Sequence, residues 1–322
     1  SFKNIKNKTP LKKVRGIAWR DNGKIIVNKP MPFITDLDSM PFPDRDAVDM
    51  SRYVPAIGLY KKLPHATFIG SRGCPYHCTF CHSSKVLRLR SAKNIVDEIE
   101  ELVKKYGIED VLFYDETFTI PKKRCLEICD ELIKRKTGIV WSANARVDCL
   151  DEEMLKKMKK AGCWRLLFGL ESGVQKNLDT IKKGFTIEQV RGAIKITSRS
   201  GIESYAVFML GLPGETYEEA VQTIKFACEL PLDYAVFTSL SILPNTEVYE
   251  QVKNTQELDL STMTVATMSS YVPETMTRKQ FEALNEPKPK NAKGGLATAE
   301  FEQTVNFKNR RDPKYQYWPN DR

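Results

Sequence analysis

The sequence lacks any apolar run long enough to cross a bilayer, so no membrane-spanning helix is expected within these residues. Ser1-Phe2-Lys3-Asn4-Ile5-Lys6 holds no apolar core, so this start is not expected to be a secretory signal. There is no initiator Met, so a processed or truncated chain is expected. Cysteine is too sparse for a disulfide framework, with eight in 322 residues, whereas a stapled secreted scaffold is short and cysteine-dense. A reducing, cytoplasmic setting is therefore expected. Charge is not segregated either. The formal net charge is +9, yet Lys and Arg alternate with Asp and Glu, as in Glu98-Ile99-Glu100-Glu101-Leu102-Val103-Lys104-Lys105. Such charges solvate helix faces, so nucleic acid is not expected as a partner. What remains is an ordinary globular composition, 41% hydrophobic and 28% charged, long enough for a sizeable core.

Residues 1–64 read as a basic, Pro-punctuated lead-in. Residues 14–17 and 24–27 flank Asp21-Asn22-Gly23, a hairpin turn because Asn-Gly tolerates positive φ. Lys29-Pro30-Met31-Pro32-Phe33 and Met40-Pro41-Phe42-Pro43 forbid helix and central strand, so an extended, wrapping segment is expected. From His65 to about residue 255, strands alternate with amphipathic helices. The strands fall at 66–69, 111–114, 139–143, 164–170, 205–210 and 235–240. The helices follow from Ser91 to Tyr106, at 121–135 and 151–160, from the capping boxes Thr186-Ile187-Glu188-Gln189 and Thr216-Tyr217-Glu218-Glu219, and at 246–252. This is an α/β pattern with a parallel sheet, either doubly wound or a barrel. Residues 256–285 read as a C-terminal extension with one short helix. Residues 286–322 open on a Pro-Lys-Pro-Lys-Asn-Ala-Lys-Gly-Gly linker and read as a flexible tail.

The densest chemistry lies in Ser71-Arg72-Gly73-Cys74-Pro75-Tyr76-His77-Cys78-Thr79-Phe80-Cys81. Cys74, Cys78 and Cys81, spaced Cys-x3-Cys-x2-Cys, let one loop present three thiolates. Iron–sulfur clusters take cysteine thiolates, usually four. Three leave one iron open, as a catalytic metal site requires. The same thiols also suit a zinc ion with His77 or His82 as fourth ligand, or are unrelated buried thiols. Cys125 and Cys129 stand at i and i+4 on a helix core face, and Cys149, Cys163 and Cys228 are scattered. No second cysteine loop exists, so no auxiliary cluster is expected.

Further candidates sit at the strand ends. Asp115 and Glu116 follow the second strand, as acceptors for an ammonium or as solvated acids at a helix start. Ser142, Asn144 and Arg146 share one face of the third strand, as a ligand site or a buried network. Glu171 and Ser172 end the fourth strand in Gly169-Leu170-Glu171-Ser172-Gly173. Gly211 and Leu212 end the fifth, in Gly211-Leu212-Pro213-Gly214-Glu215-Thr216.

The cysteine spacing, with the aromatic Phe80 before the last cysteine, resembles the radical S-adenosylmethionine (SAM) enzymes. The resemblance implies a partial (β/α)6 barrel with chemistry at the C-terminal ends of its strands. It implies a 4Fe–4S cluster on Cys74, Cys78 and Cys81, whose open iron takes the amino and carboxylate groups of SAM. One electron then splits SAM into methionine and a 5′-deoxyadenosyl radical. Carried over position by position, Asp115-Glu116 stands where the family often has Gly-Gly-Glu, and Glu116 aligns with the glutamate that holds SAM's ammonium, with Asp115 as the alternative. Arg146 pairs SAM's carboxylate, with Ser142 and Asn144 on the same face. Glu171, in the Gly-x-Glu-Ser-Gly motif with Ser172, takes the ribose hydroxyls. Gly211 and Leu212 floor the adenine, and Asn245 stands where the family has glycine. A small-molecule substrate and a reductant such as flavodoxin or ferredoxin are implied partners.

Asp36-Leu37-Asp38-Ser39-Met40-Pro41-Phe42-Pro43-Asp44-Arg45 resembles the linker that joins a cobalamin-binding domain to a radical SAM domain in one subgroup. That subgroup's Asp-x-His-x-x-Gly motif is absent, since His65, His77 and His82 are the only histidines. Cobalamin is therefore expected only through a missing domain or a partner. The subgroup implies C-methyl transfer or oxidative ring closure, and hydrogen abstraction without cobalamin is the simpler reading. A non-catalytic iron–sulfur or zinc module, or a subunit of a complex, is the alternative from another class. Such a module has no use for Glu116 and Glu171 at separate strand ends.

Overall fold

The computed structural model describes residues 9–53, 55, 59–259, 271–285 and 303–306. It divides into two compact units, residues 1–40 and 41–322.

In the first unit, β1 (Ala18–Asp21) and β2 (Lys24–Val27) form an antiparallel hairpin with Asp21 opposite Lys24. Asn22 and Gly23 have φ of 45° and 83°, the left-handed pair that a two-residue hairpin turn needs. The hairpin is the expected one, but its first strand lies at 18–21 rather than 14–17. A two-residue turn makes Asp21 face Lys24, so the paired strand must be the four residues directly before the turn.

The second unit runs β3 (His65–Phe68), β4 (Ser71–Arg72), β5 (Arg88–Leu89), α1 (Ala92–Tyr106), β6 (Asp110–Phe113), α2 (Lys122–Arg135), β7 (Val140–Ala145), α3 (Glu152–Lys160), β8 (Cys163–Glu171), α4 (Gln175–Thr180), α5 (Ile187–Arg199), β9 (Glu203–Leu210), α6 (Tyr217–Glu229), β10 (Tyr234–Ser239), α7 (Glu247–Val252), α8 (Arg278–Asn285) and β11 (Gln303–Asn306). The large sheet has the order β3-β6-β7-β8-β9-β10-β11. Its first six strands are parallel, and β11 is antiparallel on the β10 edge. Each parallel strand lies beside the next in sequence, with no reversal of direction. Right-handed crossovers then put every connecting helix on one face. That order rules out a doubly wound sheet and gives the partial (β/α)6 barrel. Among the described residues β3 and β10 do not pair, so the barrel is open.

The helices form where local chemistry favours them. Ser91 caps α1 by accepting from Asn94 N, and Gly107, at φ 64°, ends it. Both expected capping boxes are present, on α5 and α6. Ile95, Val96, Ile99 and Leu102 turn one face of α1 into the core. The Phe113 ring lies 4.6 Å from Phe118, tilted, and 5.5 Å from Trp141, edge-on. Residues 41–53 contain only short 3-10 turns, as their prolines require, and they wrap α1. Arg45 reaches buried Glu98 at 2.6 Å, and Tyr106 donates to Asp46 at 2.9 Å. Of residues 286–322, only 303–306 are described, as β11; the rest of that expected tail lies outside the described residues. No helix among the described residues is long and apolar enough to cross a membrane.

Candidate active site

The site is built on the connection after β3. Asp115, fully buried at the end of β6, accepts from Gly70 N and Ser71 Oγ, both at 2.6 Å. Arg124 of α2 closes the same corner, donating to Gly70 O at 2.6 Å. Burial pushes the Asp115 carboxyl up. This clamp directs the chain into β4, which pairs with β5, while Cys74 N donates to Ser84 O at 2.8 Å. Gly73 has φ 83°, and a Cβ there would sit 2.3 Å from Val86 O. Only glycine lets the two arms of the loop meet so closely.

The tip of the cysteine loop is tied to distant elements. Thr79 N donates to Ile181 O at 3.0 Å, and Thr79 O accepts from Val248 N at 3.1 Å. The loop is thereby fixed to the segments after β8 and β10, over the C-terminal ends of the strands.

Cys74, Cys78 and Cys81 are half-buried and free. Ser83 N donates to Cys81 Sγ at 3.4 Å, and Cys74 Sγ lies 3.6 Å from Thr117 Oγ1. Burial pushes the Cys78 thiol up, against the pull of the Lys183 and Arg146 charges. Three thiols on one loop, with an amide donor and two cations beside them, fit an anionic iron–sulfur cluster. Among the described residues no three His, Cys, Asp or Glu side chains converge as one metal ion would need. His77 and His82, the proposed zinc ligands, are both exposed. A cluster spreads its thiolates over several irons and has no such requirement.

Glu116 is exposed, and its carboxylate joins the two arms of the loop, accepting from Gly73 N at 3.1 Å and Ser83 Oγ at 3.0 Å. Of the two acids considered, Asp115 is committed inside the fold and Glu116 faces solvent beside the cysteines. Glu171 is buried at φ 65°, where the β8–β9 register shifts between Gly169 and Glu171. Its Oε1 meets Lys183 Nζ at 2.6 Å. Phe80 is half-buried, with its ring 5.8 Å from that ammonium.

Arg146 is buried. It binds Asp148 through Nε at 3.0 Å and Nη2 at 2.9 Å, and donates to Lys183 O at 2.8 Å. Its guanidinium lies 3.5 Å from the Tyr76 ring centroid. Burial works against its charge, but the Asp148 bonds outweigh it and keep its pKa above the usual value. Asn144 donates to Asp115 O at 2.8 Å, steadying the turn that carries Glu116. Ser142 is buried within β7.

Ser172, Gly211 and Leu212 are engaged within the fold. Ser172 is fully buried, its hydroxyl 3.0 Å from Thr223 Oγ1 and accepting from Val174 N. Gly211 N and Leu212 N both donate to Glu215 Oε2, at 2.6 and 3.2 Å. Leu212 is fully buried, and the Phe281 ring occupies the space a Cβ at Gly211 would need. The backbone amides expected under an adenine thus face a carboxylate of their own chain.

Lys183, Tyr76, Ser83 and Thr117 escaped the sequence reading. Lys183 follows Lys182 in a short polar connection, where lysines are ordinarily solvated, so nothing local marks it as buried.

Comparison with known proteins follows the same outline. Residues 68–227 match the radical SAM superfamily. The chain is 37% identical over 244 residues to an uncharacterised methyltransferase of Pyrococcus horikoshii, covering 74% of this chain and 52% of that one. It is 36% identical over 251 residues to the anaerobic magnesium-protoporphyrin IX monomethyl ester cyclase of Rubrivivax gelatinosus, covering 76% and 44%. The chain thus spans about half the length of the curated relatives it matches. The cobalamin-dependent SAM radical enzyme OxsB, solved with aqua-cobalamin and SAM, shares the fold with TM-score 0.64 at 21% identity, over 84% of this chain and 46% of that one. The methyltransferase TsrM of Kitasatospora setae does so with TM-score 0.59 at 18% identity, over 69% and 51%.

Proposed function

The chain belongs to the radical SAM superfamily, and we propose that it uses a 4Fe–4S cluster to cleave SAM reductively for methyl transfer, ring closure or hydrogen abstraction on a small-molecule substrate. One observation carries this reading: the three-cysteine loop is pinned over the strand ends, with Glu116 and the Lys183–Glu171 pair beside it. When bound, the cluster supplies one electron to SAM, which yields methionine and a 5′-deoxyadenosyl radical. Cys74, Cys78 and Cys81 hold it, and Lys183 and Arg146 offset the charge of the thiolates. Glu116 accepts from SAM's ammonium with a charge-assisted bond. Glu171 accepts from the ribose hydroxyls, and the Lys183 ammonium fixes its orientation. The 115–118 turn, held by Asn144, keeps Glu116 against the loop.

The relatives described as methyltransferase and cyclase support transfer of a methyl group or closure of a ring. The neighbour described as cobalamin-dependent supports a cobalamin supplied by a domain or partner beyond residues 1–322. A one-electron reductant such as flavodoxin or ferredoxin and a cytoplasmic location complete the reading.

The test is oxygen-free reconstitution, with iron, sulfide and 5′-deoxyadenosine measured together. Wild-type protein is expected to hold four irons per chain and to form 5′-deoxyadenosine on reduction with SAM. Cys78→Ser is expected to lose the deoxyadenosine at unchanged circular dichroism. Deoxyadenosine formation that survives this change, or zinc in place of iron, overturns the proposal.

A further inference from the structure

Two non-glycine residues near the cysteine loop hold left-handed backbone, Glu171 at φ 65° and Lys182 at φ 52°. Such strain is kept only where the surroundings over-determine it, and it gathers at functional sites. Here both kinks serve one ion pair. The first turns the Glu171 side chain back over Gly169, where an added Cβ would lie 2.4 Å from Oε1 and 3.2 Å from Lys183 Nζ. The second precedes Lys183, whose side chain is only 9% exposed and meets Glu171 at 2.6 Å. The ammonium stands 5.8 Å from the ring of Phe80, the residue just before Cys81 in the loop.

The pair is also fixed to the loop through the backbone. Ile181 O accepts from Thr79 N, and Lys183 O accepts from Arg146, which stacks under Tyr76. Tyr76 and Thr79 belong to the cysteine loop itself. A buried charge tethered at two points beside the thiolates cannot move away when the local charge changes. In a low-dielectric site its field is felt strongly.

We infer that Lys183 and Glu171 are positioning residues that set the reduction potential of the cluster on the cysteine loop, with opposite signs. The inference rests on the proposed cluster. A fixed positive charge favours the more negative, reduced state, and a fixed negative charge opposes it. If the pair served only to shape the fold, removing either partner would loosen the site in the same way.

The experiment is a redox titration of the reconstituted protein without SAM, followed by electron paramagnetic resonance. Wild type, Glu171→Gln, Lys183→Met and Lys183→Arg are compared, after iron and sulfide assay. Glu171→Gln is expected to raise the potential and Lys183→Met to lower it, each by about tenfold in the reduction equilibrium, or ~59 mV for one electron. Lys183→Arg is expected to stay near wild type. Shifts of the same sign, or none, overturn the inference. If Lys183→Met does not load iron, the Glu171→Gln and Lys183→Arg results decide alone, and a potential that does not rise in Glu171→Gln overturns it. A wild-type protein without iron and sulfide overturns the cluster reading instead.

Discussion

A single methyl group added at Gly169 would sit 2.4 Å from Glu171 Oε1. Gly169→Ala is therefore expected to push the carboxylate out of its place while leaving β8 paired. Binding of SAM to reconstituted protein, measured by equilibrium dialysis, should weaken at least about tenfold, the cost of roughly one lost charge-assisted bond, at unchanged circular dichroism. Glu215 makes a different prediction. It is fully buried, and burial pushes its carboxyl up to about 7. Between the unfolded value near 4.5 and about 7, the folded state keeps a proton that the unfolded state has lost. Stability should therefore fall as pH rises through that window and level off above it, by about 3 kcal/mol. Glu215→Gln keeps an acceptor for Gly211 N and should flatten the slope in denaturant unfolding between pH 5 and 8. The residue scale is also where the sequence was least legible. That Asp115 would serve as a clamp follows from the free Gly70 N and Ser71 Oγ donors at the end of β3. The covering of Gly211 comes from Phe281, 70 positions further along the chain. Neither relation leaves a local trace.

Elements were read with more success, because their causes are local. The six parallel strands and the helices from α1 to α3 came from hydrophobic periodicity, and α5 and α6 from their capping boxes. Some short elements escaped. The six-residue α4 and the two-residue β4 and β5 are too brief to show a period. One buried ion pair between elements is something that periodicity cannot reveal. Glu98 of α1, 1% exposed, is held at 2.6 Å by Arg45 from the wrapping segment and by Arg90 from the end of β5. Glu98→Ala leaves two largely buried guanidinium groups without their anion. Loss of one partner of a buried pair costs about 3–5 kcal/mol. Urea unfolding should show that loss, and limited proteolysis should show residues 41–53 cut earlier than in wild type.

At the scale of the whole molecule, the choice between a doubly wound sheet and a barrel was open in the sequence. Both repeat strand and helix, and only the order of strands in space decides. The strand β11 was equally hidden, within a stretch whose composition reads as linker. It covers the outer edge of β10 with an antiparallel partner. A chain ending at residue 285 should keep the parallel sheet but expose that edge, which invites pairing with another copy. Light scattering should therefore detect association in the shortened chain at concentrations where the full chain stays dispersed. Among the described residues β3 does not pair with β10. The cysteine loop, which starts from β3, takes the amide of Val248 beyond β10, and the neighbouring Glu247 pairs with Lys182 from the connection after α4. The loop is thus a clasp between β3 and the segment after β10. A change at Thr79 therefore reaches the segments after β8 and β10 at once.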